Sequence, residues 1–291
     1  MRRIIGWWVR PIPLARVAVL RAVIYLFLLY DISYLSNDVI PHGYAPELYQ
    51  PTFLARLLQL PAPTPELGEV LRVLIVVGAL IAATGRLPRI AGWPVAGAYL
   101  VWLLYSVGFG YVYHSHLALV VAVWVLPTIG RARYSDRGSS EAAGWAFRCI
   151  QVAVVTTYFG SAAMKWIRNG SPITWANSGV FSWAILRRGT DLARWTLETP
   201  ALLRVAQWTL ITAELLSPIV LFLRGKALAL SITFFLGFHL VTYLALGIHF
   251  LPTVICWLAF MPLERLGPYL RRRVAALRGE RGQLADSEPV A

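Results

Sequence analysis

From Ile90 to Gly130 the chain runs for 41 residues without an Asp, Glu, Lys or Arg, and from Ala227 to Leu263 it does so for another 37. A helix crosses bilayer hydrocarbon in roughly 20 residues at about 1.5 Å each, so each run is long enough to cross about twice. Each therefore reads as a helical hairpin, the first turning near 108–116 and the second near 247–252. The apolar runs are continuous rather than alternating, which excludes a transmembrane barrel. Composition agrees: 58% of the 291 residues are hydrophobic and the mean hydropathy is +0.61, whereas soluble domains are roughly 45–50% apolar. An ordinary soluble protein is excluded.

Four more apolar stretches, near Leu14–Leu35, Leu71–Thr84, Gly144–Met164 and Val205–Leu223, bring the expected total to eight transmembrane helices in an all-α integral membrane bundle. The net charge of +13, from 27 basic and 14 acidic residues, would in a soluble chain raise the question of nucleic acid. Here the cations sort by loop. Sixteen fall on the side that holds residues 1–13, 131–143 and the C-terminal segment, and six on the other. That is the positive-inside pattern of a multi-pass protein of the cell membrane with both termini cytoplasmic, so nucleic acid is not expected as a partner. The basic start Met1-Arg2-Arg3, with no small-residue cleavage site after its apolar core, reads as a retained anchor. The predicted transmembrane domain covers 1–266, and 267–291 reads as a basic, disordered cytoplasmic tail.

Two outer loops have a different cast. In 168–204, Trp175, Trp183 and Trp195 alternate with Arg168, Arg187, Arg188, Arg194 and Arg204, the pattern of short interfacial helices on a lipid surface. The 41–68 loop, with Pro51 opening an apolar turn, reads similarly. Cys149 and Cys256 lie in apolar runs and read as packed, reduced thiols.

Ionisable residues inside a span are costly and are functional candidates by default. Arg21 and Asp31 stand ten residues apart on the first helix, about 15 Å along its axis, so each needs a partner elsewhere; a structural ion pair knitting the bundle is the plain reading. His114 and His116 sit in Tyr-His-Ser-His at the turn of the first hairpin. Either they hydrogen-bond in a wet vestibule or they bind substrate and move protons; a metal would need a third ligand, and no clear one is spaced for it. Only Lys165 and Lys226 are lysines among the 27 cations. A lysine at the end of an apolar helix is either a snorkelling anchor or an amine whose proton can be removed, a role closed to arginine. Glu214 and His239, each alone in an apolar span, complete the candidates.

Several of these residues form an ordered pattern. Arg21 followed by Asp31, Gly78-Ala79-Leu80 with Gly85 and Arg89-Ile90, His114-Ser115-His116-Leu117, Tyr158-Phe159 leading to Lys165, and Phe238-His239 followed by Gly247-Ile248 and Pro252 occur in sequence. The chain in this respect resembles the HTTM (horizontally transferred transmembrane) family, whose best-known member is the vitamin K-dependent γ-glutamyl carboxylase. The likeness covers about Leu14 to Pro262. It implies that Lys165 is the base acting on a quinol-like or other small apolar substrate, that His114 belongs to the same active region, and that a quinone or hydroquinone of vitamin K type is the cofactor.

The departures are specific. Met164 replaces the first lysine of the carboxylase pair, Tyr113 stands where the carboxylase has asparagine, and no large extramembrane domain accompanies the helices. Quinol epoxidation is therefore the expected lyase- or oxidoreductase-type chemistry, and carboxylation of a propeptide-tagged protein is not. The expected cavity lies between the helices that carry His114, Lys165 and His239, with His116, His239 and Glu214 as substrate-binding residues. The competing expectation is a non-catalytic membrane partner that holds an exported peptide or another membrane protein on its outer loops.

Overall fold

The computed structural model describes residues 2–36, 38–111 and 114–266, with side chains from residue 5 onward. The tail predicted over 267–291 and the departure at Tyr113 lie outside the described residues. The fold is all-α. Its principal helices are α1 (Leu14–Tyr30, continued by a π-helical turn over Asp31–Leu35), α2 (Pro65–Ala83), α3 (Pro88–Gly108), α4 (Leu117–Val125, within an apolar helical stretch His114–Ile129), α5 (Glu141–Asn169), α6 (Gly179–Arg188), α7 (Pro200–Leu216, continued through Ser217–Phe222), α8 (Gly225–Leu246) and α9 (Leu251–Cys256, continued through Trp257–Phe260). A two-residue antiparallel pairing of Ile12–Pro13 with Ser139–Ser140 is the strand content of the described residues.

Local chemistry explains the helix ends. Thr64 accepts from the backbone N–H of Leu67 and Ser140 from that of Ala143, and Pro65 and Pro88 stand where a first-turn N–H is not needed. The two predicted hairpins are present: α3 ends at Gly108 ahead of α4, and α8 ends at Leu246 ahead of α9.

Four helices, Leu14–Leu35, Pro88–Gly108, Pro200–Phe222 and Gly225–Leu246, are long and apolar enough to cross a membrane. Length and composition thus single out four of the eight expected spans among the described residues. His114–Ile129 and Leu251–Phe260 are shorter. α2 opens on Glu66, Glu69 and Arg72, and the 29-residue α5 carries Arg148, Lys165 and Arg168 along its length.

The core is formed where α1 packs on α2, α2 on α3, and α4 on both α3 and α5. Val17, Leu20, Ile24, Trp102, Phe147, Ile150 and Trp257 are fully enclosed there. α7 leans on the far side of α5, and α8 is the least covered of the four long apolar helices. The segment between α5 and α7 folds back through short helices, among them α6, and packs Trp175 and Ala176 against Ala162, Leu210 and Ile211.

Beyond the last helix Arg16 grips Glu264 through Nε and Nη2, each at 2.7 Å. Burial alone raises the Glu264 carboxyl, but this fork and the charge of Arg265 outweigh it and hold the group below its ordinary value of 4.5. A depressed carboxylate stabilises the fold at neutral pH, and the contribution is lost as pH falls through the lowered value. The thermal-stability gap between the wild type and Glu264→Gln should thus be widest above pH 5 and close as the solution is acidified. A gap independent of pH would show that the charge is not what the pair contributes.

Candidate functional site

The turn of the first hairpin brings His114 and His116 to the flank of α5, where Lys165 projects one helical turn before the end of that helix. All three line one cavity of about 900 Å³ that runs over α4 between α3 and α5. Its other walls are Leu100, Leu103, Leu104 and Val107 from α3, Leu117 and Val120 from α4, and Thr156, Thr157, Gly160, Ser161, Met164, Arg168 and Asn169 from α5, with Leu54 from the short helix Phe53–Leu57 before α2. The α5 residues recur at three- and four-residue intervals, so they share one face. Exposure of Met164, Leu117 and Leu54 leaves the cavity open along the side of the bundle.

Lys165 does not stand as an isolated amine. Its Nζ donates to Glu214 Oε2 at 2.5 Å, with the lysine side chain 21% and the glutamate 6% exposed. The ammonium also lies 4.6 Å from the ring centre of Trp175, and Ser161 donates to the second oxygen of Glu214 at 3.4 Å. Glu214, on α7, therefore reaches the site through Lys165. It does not line the cavity itself. A buried pair of this kind holds its partners in place more than it adds net stability, because desolvation offsets much of the attraction.

His116 is the second polar group on the wall, and it is backed by Asp31. Oδ1 of Asp31 accepts from His116 Nε2 at 2.9 Å, and Oδ2 accepts from Tyr99 Oη at 2.9 Å and Ser36 Oγ at 3.0 Å. Asp31 and Ser36 are wholly buried. Two hydroxyls donate to Oδ2 and an ionised carboxylate can only accept, so opposite an ionised Asp31 the imidazole proton sits on Nε2. Asp31 occupies the first position of the π-helical turn, a local widening that re-aims side chains and recurs at functional sites. Trp102 donates from Nε1 to the Ser36 carbonyl at 2.6 Å and so fixes the end of that turn.

Arg21 takes no part in this cluster. Among the described residues no carboxylate pairs with it, and the guanidinium instead donates from Nη2 to the Gly130 carbonyl at 2.6 Å. Among the described residues its Nε and Nη1 are buried without a hydrogen-bond partner. Gly85, just past α2 with φ +68, lets Arg21 Nη1 and the Ala132 carbonyl approach so closely that a Cβ would meet them at 3.3 and 2.8 Å. The cation therefore lies where the C-terminal ends of α2 and of the His114–Ile129 stretch converge, and the negative ends of those helix dipoles supply the compensation that an acid would. Arg21 and Asp31 serve opposite ends of one helix.

His239, on α8, lies behind the cavity. Trp257 donates from Nε1 to Tyr158 Oη at 2.9 Å, and Tyr158 in turn meets His239 Nε2 at 2.6 Å. Indole can only donate, so the tyrosine proton is directed to His239. The Phe250 ring lies 5.2 Å from that of His239 and 5.8 Å from that of His114, which joins the second hairpin to the first.

The predicted residues thus fall into three groups. His114, His116 and Lys165 share the cavity, Asp31 and Glu214 stand directly behind two of them, and Arg21 and His239 stand apart. Tyr99, Ser36, Gly160 and Ser161 were not among the predicted site residues. The periodic stripe on α5 was a signal for the last two; nothing local marked the first two. Compared with protein-family models, curated proteins and solved structures, the chain matches none.

Proposed function

We propose that this chain is an eight-span, HTTM-type membrane enzyme, with both termini cytoplasmic and the His114 end of the bundle facing outward. It would bind an apolar, quinol-like substrate in the cavity between α3 and α5 and remove a proton from it. The observation that carries the reading is the convergence of His114, His116 and Lys165, from separate parts of the chain, on one largely apolar cavity open to the side of the bundle. A site of this kind buries an apolar ligand and orients it with a few polar groups. A scaffold that only held a partner on its loops has no need of it.

In this reading Lys165 is the base and Glu214 its partner. The ammonium of the resting pair passes its proton to the carboxylate, and the freed amine takes the proton of the substrate hydroxyl. His114 and His116 orient that hydroxyl, with Asp31 holding the His116 ring. The quinol supplies the reducing electrons, and an external oxidant such as dioxygen accepts them.

The test is consumption of a long-chain naphthohydroquinone by the purified, reconstituted protein under air, measured above the uncatalysed oxidation. Positioned acid–base groups contribute about 10²- to 10⁴-fold, so Lys165→Ala and Lys165→Arg should each lower the rate by at least about 100-fold. Retention of the wild-type rate by both variants would remove Lys165 from the mechanism.

A further inference from the structure

The cavity is charged at one end only. Along α5 its lining runs from Thr156 to Asn169, about 20 Å at 1.5 Å per residue. Along the opposing α3 it runs from Val107 back to Leu100. Lys165, Arg168 and Asn169 cluster at the end beside His114, and the opposite end is bounded by Leu100, Leu103 and the Thr156 turn. A groove of about 20 Å that lies along the helices and is open to their side is comparable with one leaflet, since the full hydrocarbon is about 30 Å thick.

The charges in the groove do not cancel. Glu214 answers Lys165 and Asp31 faces His116, but no carboxylate lines the cavity and none lies within ion-pair reach of Arg168 among the described residues. Arg168 is exposed at the mouth, and its fork of donors suits a phosphate, which accepts two parallel hydrogen bonds. Asn169 uses one amide hydrogen on the Lys165 carbonyl at 2.7 Å and has a second to give.

We propose that the groove takes a phosphate-headed lipid of the surrounding leaflet, with its head at Arg168 and Asn169 and one chain lying between α3 and α5 toward Leu100. This rests on the reading of the cavity as the ligand site. It adds that the natural ligand carries an anionic group one helical turn beyond the reactive position at Lys165, so that a neutral quinol fills only part of the site.

The test uses the full chain in maltoside micelles, with bound dioleoyl phosphatidic acid counted by native mass spectrometry against dioleoylglycerol, oleate and inorganic phosphate. Wild type should hold one phosphatidic acid at least about tenfold more tightly than the diacylglycerol, and Arg168→Gln should lose about tenfold. Gly160→Trp should abolish the binding. Gly160 lines the cavity and an added Cβ there meets nothing within 4 Å, so the larger side chain is directed into the groove.

Equal retention of phosphatidic acid by wild type and Arg168→Gln would overturn the proposal. So would equal binding of oleate, displacement by inorganic phosphate at the lipid's own concentration, or occupancy unchanged by Gly160→Trp, the mark of lipid held on the outside of the bundle. The two readings separate cleanly. If Gly160→Trp and the Lys165 variants abolish quinol consumption while Arg168→Gln leaves lipid binding untouched, the enzyme reading stands and the anionic ligand falls. If Gly160→Trp affects neither ligand, the cavity is not the site and both fall.

Discussion

Glu214→Gln is expected to lower the stability of the detergent-solubilised protein by about 3–5 kcal/mol, the cost of leaving one member of a buried ion pair without its partner. Lys165 is packed over Trp175 on one side and faces the cavity on the other, with its side chain about one-fifth exposed, so the loss should fall at the lower end of that range. Lys165→Met alone should do comparable damage, because it leaves the carboxylate with only the long contact from Ser161. The decisive measurement is the double variant Lys165→Met/Glu214→Leu. Replacing both members by apolar side chains removes two desolvation costs together with one attraction, so its thermal midpoint should return to near the wild-type value. Quinol consumption should stay lost in all three variants. A double variant as unstable as the singles would mean that the pair is a structural clamp whose geometry nothing apolar can replace. One that kept turnover would refute its role in chemistry.

Asp31→Asn is expected to cost about 3 kcal/mol or more, although it changes one atom. The carboxylate accepts from Tyr99, Ser36 and His116 at once. An amide has a single acceptor oxygen and must present its own N–H₂ to one of these groups, which then has to reverse its hydrogen bond or lose it, in a site where an unmade bond is costly. The same change turns the His116 ring: with the amide nitrogen opposite Nε2, the proton moves to Nδ1. The readout that a purely structural role would not move is therefore the ¹⁵N spectrum of His116, which should switch from the Nε2–H to the Nδ1–H tautomer. Thermal unfolding measures the stability loss in parallel. If the spectrum were unchanged, Asp31 would not be what sets the imidazole.

The bundle was legible because uncharged runs of 41 and 37 residues admit few alternatives, and both hairpins turn where expected. Four of the eight expected spans stand out as long, uncharged apolar helices among the described residues; the others are shorter, interrupted or carry charge, which the hydropathy of a stretch does not register. Pro127 leads into a 3-10 turn after α4, and Pro252 opens an α9 only six residues long before its own 3-10 extension. At the site, Lys165 stood out as one of two lysines, and the His114-Ser115-His116 turn as polar residues where an apolar hairpin reverses. Their partners were legible only as costs: a buried Asp31 and a buried Glu214 had to be answered, but nothing local said by which residue. Asp31 is answered by Tyr99 from 68 residues away and His116 from 85, and pairings at that range are set by packing. Arg21 shows the opposite case, a cation answered by the Gly130 carbonyl at a helix end, which no charge count would find.

The widened turn at Asp31–Leu35 is in effect one residue more than a regular helix needs. Deleting a single residue from a buried helix ordinarily rotates everything beyond it by about 100° and wrecks the packing. Here a deletion would convert the widened turn to a regular one, so helix continuity would survive while the aim of Asp31 would not. The first helix therefore carries a removable insertion, and a one-residue deletion between Asp31 and Leu35 offers a way to uncouple the carboxylate from His116 in a chain that still folds.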